Sequence, residues 1–114
     1  MELIRIGRGG RLPKPIEPSD HLKMVLEMTE ANYQRVGFEE PWVGYVAFDD
    51  LRPIGVCGFK SAPKDGRVEI AYHTLPGLEG SGIATSMASK LIEIAESVSN
   101  VPTVFAQTLP EESA

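Results

Sequence analysis

The sequence predicts an α/β domain, a mixed sheet in which an antiparallel meander leads into a β-α-β crossover. Three observations carry this. Short apolar runs at Trp42–Phe48, Ile54–Lys60 and Val68–Leu75 are separated by compact turn sequences. A stretch with helical spacing, from Ile83 to about Val98, follows the last run across a glycine-rich link. A further run, Thr103–Leu109, completes a strand–helix–strand unit. A connection of that length makes its two strands parallel, with a right-handed crossover.

Glu2–Ile6 reads as a short first strand. Gly7–Pro18 reads as loop; the arginines of its GRGGR segment are assigned to solvent rather than to a phosphate patch, because nothing nearby repeats the pattern. Ser19 and Asp20 are candidate N-caps for a helix running through Arg35. Leu22, Val25, Leu26, Met28 and Tyr33 give that helix a broad apolar side, suited to lying across a sheet. Gly37 reads as its C-cap. Tyr33 and Phe38 are candidates for the core.

The runs Trp42–Phe48 and Ile54–Lys60 meet at the turn Asp49–Pro53, and both are apolar on both faces. That pattern belongs to a sheet covered on each side. Pro63-Lys64-Asp65-Gly66 is a turn leading into the next antiparallel strand. That strand carries Val68, Ile70, Tyr72 and Thr74 on one face and Glu69, Ala71, His73 and Leu75 on the other. In the following helix Ile83, Ala84, Met87, Ala88, Leu91, Ala95 and Val98 form the inner stripe, while Lys90, Glu93 and Glu96 face water. Asn100 and Pro102 end it, and Pro110 closes the last strand.

The 114 residues suffice for a single domain spanning 1–114. With 42% apolar and 24% charged residues, the chain can bury a core and is not of disordered composition. A formal charge of −5 argues against a general nucleic-acid surface. Cys57 is the lone cysteine, which rules out an intrachain disulfide and a CxxC metal site. His21 and His73 lack metal-ligand spacing, so no metal is expected. No run reaches membrane-spanning length, and the N-terminus has no signal-peptide core, so a cytoplasmic location is the expectation.

The segment between Leu75 and Ile83 carries the chemistry. A strand, a glycine-rich loop (Gly77, Gly80, Gly82) and a helix start bring free main-chain N–H groups together, an arrangement that holds phosphate. It is not a Walker A loop, because Ile83 stands where the lysine would be. It is not a dinucleotide fingerprint either, because Thr85 replaces the third glycine. EGSGIAT (Glu79–Thr85), with Gly82 and Ala84 at its small positions, resembles the pyrophosphate-binding loop of the GNAT superfamily of N-acetyltransferases. VEIAYHTLP (Val68–Pro76) resembles the strand before that loop in the branch containing the ribosomal-protein and small-substrate acetyltransferases. AQTLPEESA (Ala106–Ala114) resembles the next strand and a helix start. The resemblance covers about Trp42–Ala114. It implies an incomplete acyl-CoA N-acyltransferase fold, because the chain stops where the family has a further helix and two strands.

The resemblance implies acetyl-CoA as donor and a primary amine as acceptor, and it offers the wall of the acceptor site as the alternative to the core for Tyr33 or Phe38. It implies donor binding by backbone near Tyr72 and Thr74 and by Gly80, Ser81, Gly82, Ile83, Ala84 and Thr85. Family members carry a basic or amide residue where Glu79 stands, and they often take a general acid from the absent helix; Ser113 lies near where that helix would start. Glu69 is the first candidate base, since a glutamate in an apolar strand has a raised pKa unless it is paired. The alternative for Glu69 is an ion pair or a solvent-facing position. His73 is the second candidate base, with a structural imidazole as its alternative. At the level of the whole protein the readings are an active acetyltransferase, an inactive coenzyme-binding relative, or an interaction module. In the last, the apolar edge strand Thr103–Leu109 forms a homodimer.

Overall fold

Five strands form one sheet in chain order: β1 (Glu2–Arg5), β2 (Gly44–Asp49), β3 (Arg52–Phe59), β4 (Arg67–Thr74) and β5 (Thr103–Ala106). The computed structural model describes residues 1–98 and 100–107. The first three strand junctions are antiparallel and the β4–β5 junction is parallel. The expected meander and crossover are therefore both present, and β1 extends the antiparallel part to four strands.

The first helix, α1 (Asp20–Val36), starts where the caps predicted. The Ser19 Oγ accepts the Leu22 N–H at 3.2 Å, and Gly37 ends the helix in a left-handed turn (φ 96°) by donating its N–H to Tyr33 O. The second helix, α2 (Ile83–Glu96), buries Met87, Leu91 and Ala95, three positions of the stripe read from the sequence. The two helices cover opposite faces. A side chain at Gly44 would meet Thr29 and Tyr33 of α1, whereas one at Gly55 would meet Met87 of α2. Val43, Val46, Phe48, Phe59, Val68, Ile70 and Leu91 make up the main core, with Ala47, Ile54 and Met87 as a satellite.

Four local differences have simple causes. The β2–β3 turn is tighter than expected: Asp49 pairs with Arg52, leaving Asp50 (φ 58°) and Leu51 at the tip. The ladder re-registers between Ala47 and Phe48, which lets Pro53 sit in the strand at a bulge. The GRGGR segment holds a short 3-10 turn (Arg8–Gly10) packed on α1, with Arg8 and Arg11 exposed as expected: Gly9 N–H donates to Glu30 Oε1 at 2.7 Å, and the Arg8 guanidinium stacks 5.1 Å over Phe38. In the described residues β5 ends at Ala106; Leu109, and the helix start with Ser113, lie outside them.

Two features fix the spacing between α1 and the sheet. Gly44, Gly58 and Ala71 are register partners across β2, β3 and β4, so no side chain in that row exceeds a methyl group. A Cβ on Gly58 would come within 2.7 Å of Val43 O, so glycine is required for β2 and β3 to approach as they do. Above the row, the buried Tyr33 hydroxyl donates to Ile6 O at 2.7 Å and accepts the Gly44 N–H at 2.9 Å. Tyr33 is thus a core residue that also lines the space between α1 and the sheet, and burial raises its pKa even though the Gly44 N–H pulls the other way. Phe38 packs edge-on against its ring at 5.0 Å. Tyr33→Phe leaves a carbonyl and an N–H without partners. It is expected to lower unfolding free energy by about 1–3 kcal/mol, read from denaturant melts.

Candidate functional site

The link from β4 to α2 is built around left-handed backbone. Gly77, Gly80 and Gly82 have φ of 88°, 84° and 80°, and Gly82 is the residue before the first turn of α2. A Cβ at any of the three would meet nothing within 4 Å. Glycine is needed at Gly80 and Gly82 for the backbone conformation, and the space beside them is open. Among the described residues no side chain caps α2, and no acidic residue lies in its first turn. Among the described residues, the N–H groups of Gly80, Ser81, Gly82, Ile83, Ala84 and Thr85 have no protein acceptor. Such a run of donors at a helix N-terminus is a site for an anion.

Glu79 does not spoil it. Its Oε1 accepts the Gly77 N–H at 2.9 Å, which turns the carboxylate back onto the loop. The Ser81 hydroxyl donates to Leu78 O at 2.8 Å and helps close the same turn.

β4 delivers the chain to this cradle with half of one edge unpaired among the described residues. Its ladder with β5 ends at Ile70–Ala106, whereas its ladder with β3 continues to Thr74. Tyr72 and His73 are exposed, and Thr74 is half-buried. Beyond Ile70, the main chain of β4 meets no strand on the β5 side among the described residues.

The two candidate bases lie at different ends of β4. Glu69 sits near its start, where its carboxylate meets Lys60 Nζ at 3.0 Å and its side chain is 19% exposed. Of the two arrangements the sequence leaves open for Glu69, the ion pair is the one observed. His73 lies near the cradle end of the strand. Its ring centroid is 5.8 Å from that of His21 on α1, a proximity that no spacing rule reveals because 51 residues of sequence intervene. His21, Met24 and Met28 of α1 form one wall of a groove of about 430 Å³. Val56, Ala71 and His73 of the sheet contribute to the other.

Cys57 is also at the groove but is not a nucleophile. Burial pushes its thiol up to about 12, keeping it protonated at neutral pH. Among the described residues, no cluster of three or more His, Cys, Asp or Glu could hold a metal ion, and no helix is long and apolar enough to cross a membrane.

The family model for the acetyltransferase (GNAT) domain matches residues 4–114. This chain belongs to the GNAT acetyltransferase family. The match spans the cradle, β4 and both helices, so the family assignment rests on the whole arrangement and not on one loop. A solved structure of a predicted acetyltransferase from Clostridium acetobutylicum, determined with acetyl-CoA, has the same fold at 21% identity and a TM-score of 0.50. The alignment covers 84% of this chain and 66% of that one, so the chain spans just under two thirds of that protein. No curated protein matches the chain.

Because its thiolate is suppressed, Cys57 is expected to alkylate with iodoacetamide at pH 8 at least about 100-fold more slowly in the native protein than after unfolding. Mass spectrometry of timed samples reads this directly.

Proposed function

We propose that this GNAT domain transfers an acetyl group from acetyl-CoA to a primary amine, with the diphosphate of the donor on the uncapped start of α2. The observation that carries the reading is the set of six main-chain N–H groups from Gly80 to Thr85, with no acceptor among the described residues and no acid in the first turn. An anion is the partner that satisfies such donors. The exposed backbone of Tyr72 to Thr74 continues from the cradle and offers main-chain groups to the pantetheine arm. When bound, the donor supplies an acetyl group already activated as a thioester, so the protein's tasks are to orient it and to handle one proton.

His73 is the residue placed for the proton. It is exposed on the stretch of β4 that approaches the cradle, and it lines the groove in which an acceptor would lie. Glu69 is less suited to the role, because Lys60 holds its carboxylate at the other end of the strand. The run VEIAYHTLP favours the branch acting on ribosomal proteins and small substrates.

A second reading has its own support. Val104 and Phe105 of β5 are half-buried, and the far edge of β5 has no strand partner among the described residues. A homodimer through that edge would make the domain an interaction module that keeps coenzyme binding, with or without turnover.

Two measurements test the enzymatic reading. Thr85→Glu, at an exposed first-turn position, is expected to maintain or raise stability through the helix dipole. It should weaken acetyl-CoA binding by at least about tenfold, through charge repulsion at short range. Calorimetric titration showing unchanged affinity would place the donor elsewhere; Gly82→Val should weaken binding too. In the second test, His73→Gln is expected to lower kcat by about 100-fold, and Glu69→Gln by less than about tenfold. The reverse order in steady-state assays would return the base to Glu69.

A further inference from the structure

The Lys60–Glu69 ion pair takes no part in the proposed transfer to an outside amine, yet it places a primary amine on the groove. Of the chain's five lysines, all among the described residues, Lys60 alone lines that space. Lys60 follows the end of β3, and its N–H donates to Glu69 O at 2.9 Å, which makes it the register neighbour of Glu69 on β4. Its side chain leans across to β4, where Nζ stands 3.0 Å from Glu69 Oε2. The pair lacks hydrogen-bond alignment, so charge alone holds it. The Lys60 side chain is 56% exposed on a flexible four-carbon stem, and its amine is free to swing away from the carboxylate.

The same pair marks the place on β4 where a bound donor runs out of free edge. Glu69–Phe105 is the next-to-last rung of the β4–β5 ladder, which ends at Ile70–Ala106. From Ala71 to Thr74 the β5 side of β4 has no strand among the described residues, a free edge of about 10 Å. An arm that starts at the cradle and follows this edge passes Thr74 first and meets β5 once it reaches Ile70. Such an arm carries its thioester end to Ala71, an exposed residue of the groove. Ala71 is two positions from Glu69, on the same face of the strand.

We infer that Lys60 is an internal acetyl acceptor, modified by the thioester bound along β4 of the same molecule. Acetylation there rests on the acetyl-transfer reading. A lysine ammonium has to shed a proton before it can attack, and the Glu69 carboxylate is the group in contact with it. Lys60 Nζ gives one proton to Glu69, which passes it to water, and the freed lone pair forms a C–N bond with the thioester carbonyl carbon. The C–S bond breaks, and the thiolate takes a second proton from the nitrogen and leaves as the free thiol. The chain keeps a neutral acetamide at position 60, and Glu69 loses the cation it faced.

The test incubates the full chain with acetyl-CoA carrying a carbon-13 acetyl group and follows each lysine by peptide mass spectrometry. Lys60 is expected to gain the label at least about tenfold faster than Lys23 or Lys64, which are also exposed but lie off the groove. Its rate should be first-order and independent of protein concentration, as transfer within one molecule requires. Thr85→Glu, at sub-saturating donor, should slow Lys60 by at least about tenfold and leave Lys23 and Lys64 as they were. Lys60→Arg should remove the fast site, with no other lysine taking its place. Labelling of Lys60 no faster than of Lys23 and Lys64, a rate that rises with protein concentration, or fast labelling that survives Thr85→Glu would each overturn the inference. Calorimetry with acetyl-CoA separates the two proposals. Donor binding with Lys60 unlabelled removes only the internal acceptor, whereas a chain that binds no donor removes the transfer reading and the internal acceptor with it.

Discussion

The Tyr33 hydroxyl holds three elements at one point. It donates to the carbonyl that follows β1 and accepts from the first N–H of β2, and its own backbone lies near the end of α1. Because it is buried, neither bond can be exchanged for water without a desolvation penalty, so the distance between helix and sheet is set at this end. The row Gly44, Gly58 and Ala71 then ensures that nothing from the strands fills the space beneath the helix. The groove follows from these two constraints together. A helix pinned at that height over larger side chains would be packed shut.

β4 connects this space to the rest of the site. On one side its last half is paired with β3; on the other its ladder with β5 ends at Ile70–Ala106, and among the described residues no strand lies beside the rest. Immediately beyond, the glycine turns lead into a helix start with no cap. Two kinds of unpartnered donor and acceptor therefore lie between Ala71 and Thr85 among the described residues, strand-edge main chain and helix N-terminal N–H groups, with the exposed His73 beside the first. A fold that only had to be stable would have capped the helix. Glu79 shows how the cradle tolerates a carboxylate, since a bond to Gly77 keeps that charge turned back on the loop.

Much of this was legible in the chain. Ser19 and Gly37 mark the ends of α1 because capping is local chemistry, and the stripe Met87, Leu91 and Ala95 marks the inner face of α2 because helical periodicity is local too. The loop Glu79–Thr85 was legible for the same reason, although glycine there answers a left-handed backbone and not a lack of room. What misled was also local. The first loop read as irregular, and only the bond from the Gly9 N–H to Glu30 shows a 3-10 turn tied to α1 there, with its arginines exposed as the sequence suggests.

By itself, then, the sequence determined the order of elements, their caps and turns, and the glycine-rich link between β4 and α2, since each depends on residues within a few positions of one another. The tertiary structure alone decided that Glu69 is ion-paired, that Tyr33 belongs to the core, and that His21 and His73 share one groove. Those outcomes depend on strand register and on which face a helix covers. Contacts between residues distant in sequence, which no local pattern encodes, fix both.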